Sequence, residues 1–195
     1  MVHLLTSWFN RGFLEMGSVT WSTAADILER IIAYEAVHEI TDWEDLRRRL
    51  LPEDRRCFAF FHPVMPDEPL VFVEVALAHG TPRSIVDVLA ADRESTDPAA
   101  ADTAIFYSIS NCQPGLAGVS FGNLLLKQVV RDLERELPNV ENFVTLSPVP
   151  GFAAWVARDS EAAGSAGAER STSDIRRLAL RYFLSAKRDD GAPVD

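Results

Sequence analysis

Three glycines, Gly115, Gly118 and Gly122, gather where an apolar helix should begin, at about Phe121. Glycine lets a backbone approach a ligand closely. The first amides of a helix lack intrahelical partners and carry partial positive charge. Together these features suit a phosphate group. The spacing is not a dinucleotide-binding fingerprint, and no acid follows at the ribose position. No Gly-Lys-Ser/Thr run occurs, which excludes a P-loop. On the glycines alone, a packing turn explains the segment as well as a ligand loop does.

Other candidates for chemistry are scattered. Glu74 interrupts an apolar strand, either as a general base or as a paired core glutamate. Arg47, Arg48 and Arg49 could form a phosphate patch, although a solvated helix face is the commoner meaning of such a run. His3, His38, His62 and His79 sit at a terminus, on a helix, at a strand mouth and in a turn, where surface or packing roles are usual. Cys57 and Cys112 lie far apart with no C-x-x-C spacing, as expected of two reduced core thiols. No metal-ligand cluster is visible, and no cofactor is called for.

Composition narrows the class. The 195 residues are 47% hydrophobic and 25% charged, which supports a buried core. The net charge of −10 disfavours non-specific binding to nucleic acid. No apolar run approaches the ~20 residues of a membrane span. The start has no basic region followed by an apolar stretch, so no signal peptide is expected and the cytoplasm is the expected compartment.

The elements that must position these residues follow from periodicity. Residues 1–54 read as helical, with Thr23 to Asp26 offering an N-cap before Ile27, Leu28, Ile31 and Ile32. Asp42 should cap a short basic helix that Pro52 stops. Residues 55–158 read as an α/β core. Cys57–Phe61 and Leu70–Leu77 should pair antiparallel across a rigid turn at Pro63–Pro69. Pro82 and Ser84 open a short helix to about Ala90. Thr103–Asn111 is a third strand, the helix 121–137 buries Leu124, Leu125, Val129, Val130 and Leu133, and Glu141–Leu146 is a fourth strand. Strand, glycine turn, helix and strand form a βαβ unit, so strands three and four should be parallel and the sheet mixed. Phe152 should begin a further helix. Residues 159–173 read as a flexible linker and 174–195 as a last helix and its tail.

Longer strings carry a resemblance. FAFFHPVMPDEPLVFVEVAL, DTAIFYSISNCQPGLAGVSFGNLLLKQVVRDLERELP and FVTLSPVPGFAAWV resemble the catalytic domain of malonyl-CoA decarboxylases of the bacterial type. LLTSWFNRGFL and ILERIIAYEAVHEITDWEDLRRRL look like its beginning. The resemblance covers most of residues 4–157, and 174–195 more weakly. It implies an acetyltransferase-like (GNAT-type) α/β fold. The acetyltransferase pyrophosphate loop has the pattern Arg/Gln-x-x-Gly-x-Gly/Ala, which residues 117–122 meet only at Gly122.

Carried over by position, the family's malonyl-CoA loop falls on Ala117, Gly118, Val119, Ser120, Phe121, Gly122 and Asn123. Its catalytic serine falls on Ser147. That residue ends a parallel strand, beyond which ligands bind in open α/β sheets, although a serine there also serves turns and helix caps. The implied activity converts malonyl-CoA to acetyl-CoA and carbon dioxide. The family's histidine partner would lie just past Pro193-Val194-Asp195, and its N-terminal helical domain has no counterpart here. The resemblance therefore implies a truncated, weakly active or inactive form. An acyl-CoA-dependent acyltransferase using Glu74, or a non-catalytic CoA-binding remnant, is the alternative. A sheet edge left uncovered would favour a homo-oligomer.

Overall fold

The structure is a computed structural model that describes residues 13–82, 84–116, 121–148 and 151. Residues 1–147 form one compact unit and 148–195 a second; the elements below belong to the first. They run β1 (Glu15–Ser18), α1 (Ala25–Tyr34), α2 (Trp43–Leu50), β2 (Arg55–His62), β3 (Met65–Ala78), α3 (Ile85–Leu89), β4 (Thr103–Asn111), α4 (Phe121–Glu136) and β5 (Asn142–Thr145). A 3-10 turn, Pro114–Leu116, leads from β4 towards α4.

The five strands form one sheet in the order β1-β2-β3-β4-β5. The first four are antiparallel to their neighbours, and β4 pairs parallel with β5. This is the mixed sheet that the βαβ pattern predicts. Strands β2, β3 and β4 are apolar on both faces because both faces are covered. One face presents Phe58, Phe60, Val71, Val73, Val75 and Phe106 to Leu125, Val129 and Leu133 of α4. The other presents Cys57, Ala59 and Phe72 to α1 and α2 through Leu28, Ile31, Leu46 and Leu50. Ala76, Ile105 and Tyr107 meet Val88 of α3 on that second face.

Local chemistry sets most boundaries. Asp42 caps α2 as expected, its side chain accepting the Asp45 N–H at 2.7 Å. Ser84 caps α3 by accepting the Val86 N–H. The expected cap at Thr23 does not form. Ala24 occupies the cap position of α1, and the Thr23 hydroxyl instead accepts the Thr20 N–H at 2.9 Å. A threonine before a helix can close the preceding turn, and here that turn wins.

Two further expectations change. The stretch read as wholly helical up to residue 54 also holds β1, whose four residues pair with Phe58–Phe61. Periodicity misses so short a strand because only its ladder with β2 defines it. The turn at Pro63–Pro69 shrinks to Pro63 and Val64, since β3 already begins at Met65. Its first residues are exposed and its register with β2 is irregular, which is where a sheet tolerates Pro66 and Pro69.

Candidate functional site

The parallel pair of strands is short. Only Thr103–Phe106 of β4 pairs with β5, and the last bond runs from the Leu146 N–H to the Phe106 carbonyl at 3.0 Å. Beyond it β4 continues to Asn111. From Tyr107 to Asn111 its β5-facing edge has no strand partner among the described residues. A bulge marks the division. Glu74 pairs with Ser108 and Val75 with Phe106, so Tyr107 is an extra residue in β4. Such a bulge bends a strand and increases its twist.

Ser147 follows the last bonded residue, Leu146, and is exposed. It therefore lies past the C-terminal end of a parallel strand, as its sequence position predicts. Helix α4 begins at the same end of the sheet, because the chain enters it from the C-terminal end of β4. Its first amides, at Phe121, Gly122 and Asn123, have no intrahelical acceptor. Asn123 is exposed. A Cβ at Gly122 would meet Ile109 Cγ2 at 3.3 Å, so this glycine permits close packing of α4 on the free half of β4. A Cβ at Gly115 would meet nothing within 4 Å. Ala117, Gly118, Val119 and Ser120 lie outside the described residues.

On the opposite face of the sheet lies a buried polar cluster that the sequence reading passed over except for Glu74. The Glu35 carboxylate accepts the Ser108 hydroxyl at 2.7 Å and the Ser110 hydroxyl at 3.1 Å. It also accepts the N–H groups of Val37 at 2.9 Å and His38 at 2.7 Å. The Ser110 hydroxyl in turn accepts the Ala36 N–H at 3.1 Å. The signal was present: Ser108 and Ser110 alternate on the inward side of an otherwise apolar strand.

Glu74 is fully buried and accepts from Arg49 at 3.3 Å, as a paired core glutamate. Burial outweighs that pairing and lifts its carboxyl to about 8, with the nearby Glu35 charge adding to the rise. Arg49 is buried too, and donates to the carbonyls of His38 at 2.8 Å and Glu39 at 3.0 Å and to Asp45 at 3.1 Å. Arg47 and Arg48 pair with Glu44 and Asp45 on their own helix, each at 3.4 Å. The arginine run is thus one core residue and two members of a solvated ion-paired face. Arg55, also buried, lies over the Tyr107 ring at 5.4 Å.

Both cysteines are buried and free. Burial pushes the Cys57 thiol up and the Cys112 thiol up to about 12, which leaves neither as a ready nucleophile. His79 bonds Asp102 at 2.7 Å, and Asp102 immediately precedes β4. That is the end of the sheet away from Ser147. His62 ends β2, and its Nδ1 accepts the Val64 N–H at 3.2 Å. The His38 ring is buried at Nε2 without a described partner. His3 lies outside the described residues.

The mixed sheet, whose parallel pair of β4 and β5 ends just before Ser147, and the helices on both its faces define an α/β protein. Residues 12–172 match the family model described as the malonyl-CoA decarboxylase C-terminal domain. Mitochondrial malonyl-CoA decarboxylase of Anser anser anser is 44% identical over 156 residues, and that of Mus musculus 41% over 155. These alignments cover 79% and 78% of this chain and 31% of each relative. The crystal structure of malonyl-CoA decarboxylase from Rhodopseudomonas palustris is 59% identical with a TM-score of 0.76, covering 86% of this chain and 41% of that one. The one from Agrobacterium vitis is 58% identical with a TM-score of 0.79, covering 92% and 44%. The chain belongs to the malonyl-CoA decarboxylase family and spans about a third of the length of the curated relatives.

Proposed function

We propose that this chain binds malonyl-CoA and carries the serine part of a decarboxylase that yields acetyl-CoA and carbon dioxide. The observation that carries the reading is the end of the β4–β5 ladder, where Ser147 follows the last strand bond and the free edge of β4 begins. An extended, amide-bearing arm such as that of CoA can add to a free strand edge through main-chain hydrogen bonds. The first amides of α4 would face the pyrophosphate, with residues 117–123 as the loop. On this reading the sheet is of the acetyltransferase-like kind.

The chemistry needs three things. The carboxylate must stand out of the thioester plane, so that the breaking C–C bond feeds its electron pair into the thioester. The charge growing on the thioester oxygen must be stabilised. A proton must then reach the α-carbon. The Ser147 hydroxyl, exposed beyond the strand end, is assigned to the carboxylate or to the proton-transfer position. The family resemblance implies a histidine as proton donor, and His79, bonded to Asp102 just before β4, lies at the other end of the sheet from Ser147. The acyltransferase alternative loses its base, because Glu74 is fully buried against Arg49.

Cytoplasmic location and self-association remain part of the proposal. Among the described residues no helix is long and apolar enough to cross a membrane. The test is to incubate the chain with malonyl-CoA and follow acetyl-CoA and carbon dioxide, with an amine-acceptor control. Ser147→Ala should lower product formation about 10²–10⁴-fold and leave the melting temperature nearly unchanged. Undiminished product from that variant would overturn the assignment.

A further inference from the structure

Among the described residues, the half of β4 that β5 leaves free has a strand neighbour on one side only. It lies beyond the bulge at Tyr107, where the ladder is interrupted. A strand half held by one neighbour can twist, and its outward N–H and C=O groups turn with it. Ser108 and Ser110 lie in this half, and both are almost wholly buried. Apolar side chains at these positions would be the ordinary choice on an inward face. Instead both hydroxyls donate to one carboxylate, Glu35, which directly follows α1. The same carboxylate accepts the N–H groups of Val37 and His38, while the Ala36 N–H donates to the Ser110 hydroxyl. Hydrogen bonds to an ionised group are roughly twice as strong as neutral ones. The Ser108 and Ser110 hydroxyls on Glu35 and the Ala36 N–H on Ser110 thus join the corner after α1 to the strand half that has no second neighbour among the described residues.

We propose that Glu35 is a positioning residue for the acyl-CoA site: through Ser108 and Ser110 it holds the free edge of β4 in the orientation that receives the amide-bearing arm of the ligand. This rests on the acyl-CoA reading above. Glu35 lies on the face opposite α4, so it acts through the strand and not on the ligand. Its effect should be confined to the part of the ligand that lies along β4. The nucleotide end, placed at the start of α4, should be indifferent to it.

Calorimetry with two ligands tests this. Acetyl-CoA carries the arm and the nucleotide, whereas adenosine 3′,5′-bisphosphate carries the nucleotide alone. Glu35→Ala should weaken acetyl-CoA binding at least tenfold and change adenosine 3′,5′-bisphosphate binding less than twofold. Glu35→Gln keeps one carbonyl acceptor and should recover part of the loss. If Glu35→Ala does not fold, the double variant Ser108→Ala/Ser110→Ala, which keeps the bonds of Val37 and His38 to Glu35, should show the same ligand-selective loss. Unchanged acetyl-CoA affinity in a folded variant would overturn the proposal. Equal losses for both ligands would overturn it as well, since they would mark a purely structural role. If the unaltered chain binds neither ligand, the acyl-CoA reading itself fails and the positioning role falls with it.

Discussion

At the scale of single residues, the proposed site rests on one exposed hydroxyl, and the buried carboxylate Glu74 bears on stability. Ser147 is exposed and past the last ladder bond, so Ser147→Ala should change stability by less than ~1 kcal/mol. Any acid–base share it has in turnover should be about 10²–10⁴-fold, read by the rate of acetyl-CoA formation beside a melting curve. Glu74 gives a pH prediction. Its carboxyl rises in the fold from 4.5 to about 8, because burial disfavours the charge. The folded state therefore keeps a proton that the unfolded chain releases. The stabilisation is full below pH 4.5 and is lost as pH rises towards about 8. Glu74→Gln, neutral at every pH, should remove this decline. Urea midpoints at pH 5 and pH 8 should then differ less in the variant than in the parent.

At the scale of elements, packing at the start of α4 falls on Gly122, and the binding proposed for it falls on other residues. Gly122 faces Ile109, with no room for a larger group without a shift. A carboxylate at Gly122 would be forced against that apolar contact, so Gly122→Asp should lower the melting temperature together with any CoA affinity. Asn123 is exposed one residue later. Asn123→Asp puts the charge in the first turn, where the helix dipole tolerates or favours it. The melting temperature should hold while repulsion of the pyrophosphate weakens acetyl-CoA binding about tenfold, or ~1.4 kcal/mol. Equal behaviour of the two variants in both measurements would show that the helix start has no such division.

At the scale of the whole unit, one buried carboxylate fastens a long connection. Between α3 and β4 the chain runs from residue 90 to 102 with no helix or strand. Arg93 donates to Asp54 at 2.5 and 2.9 Å, and the Thr96 N–H donates to it at 2.9 Å. Burial would raise the Asp54 carboxyl, but Arg93 and the Thr96 N–H outweigh it and hold the group below its ordinary value. Arg93→Met would leave a carboxylate at 1% side-chain exposure without its cation. Breaking a buried pair in this way typically costs 3–5 kcal/mol. A denaturant titration should show a loss of that order at neutral pH. The loss should shrink in acid, because protonation of Asp54 removes the uncompensated charge.

Much of the fold was legible in the chain itself. Thr103–Asn111 as a strand, the helix after the glycine turn, the caps at Asp42 and Ser84 and the parallel pairing of the last two strands all follow from local periodicity, turn residues and the handedness of βαβ units. Family membership was also readable, because long ungapped strings survive where a core packs on both faces. Ser147 and Asn123 could be placed at strand and helix ends for the same reason. Tertiary structure alone decided three matters. β1 exists only through its ladder with β2, and four residues carry no period of their own. The Thr23 hydroxyl accepts the Thr20 N–H and leaves the cap position of α1 to Ala24. The joining of Glu35 to Ser108 and Ser110 spans more than seventy residues. No local pattern encodes which buried hydroxyl meets which carboxylate, because that depends on how the corner after α1 comes to rest on the sheet.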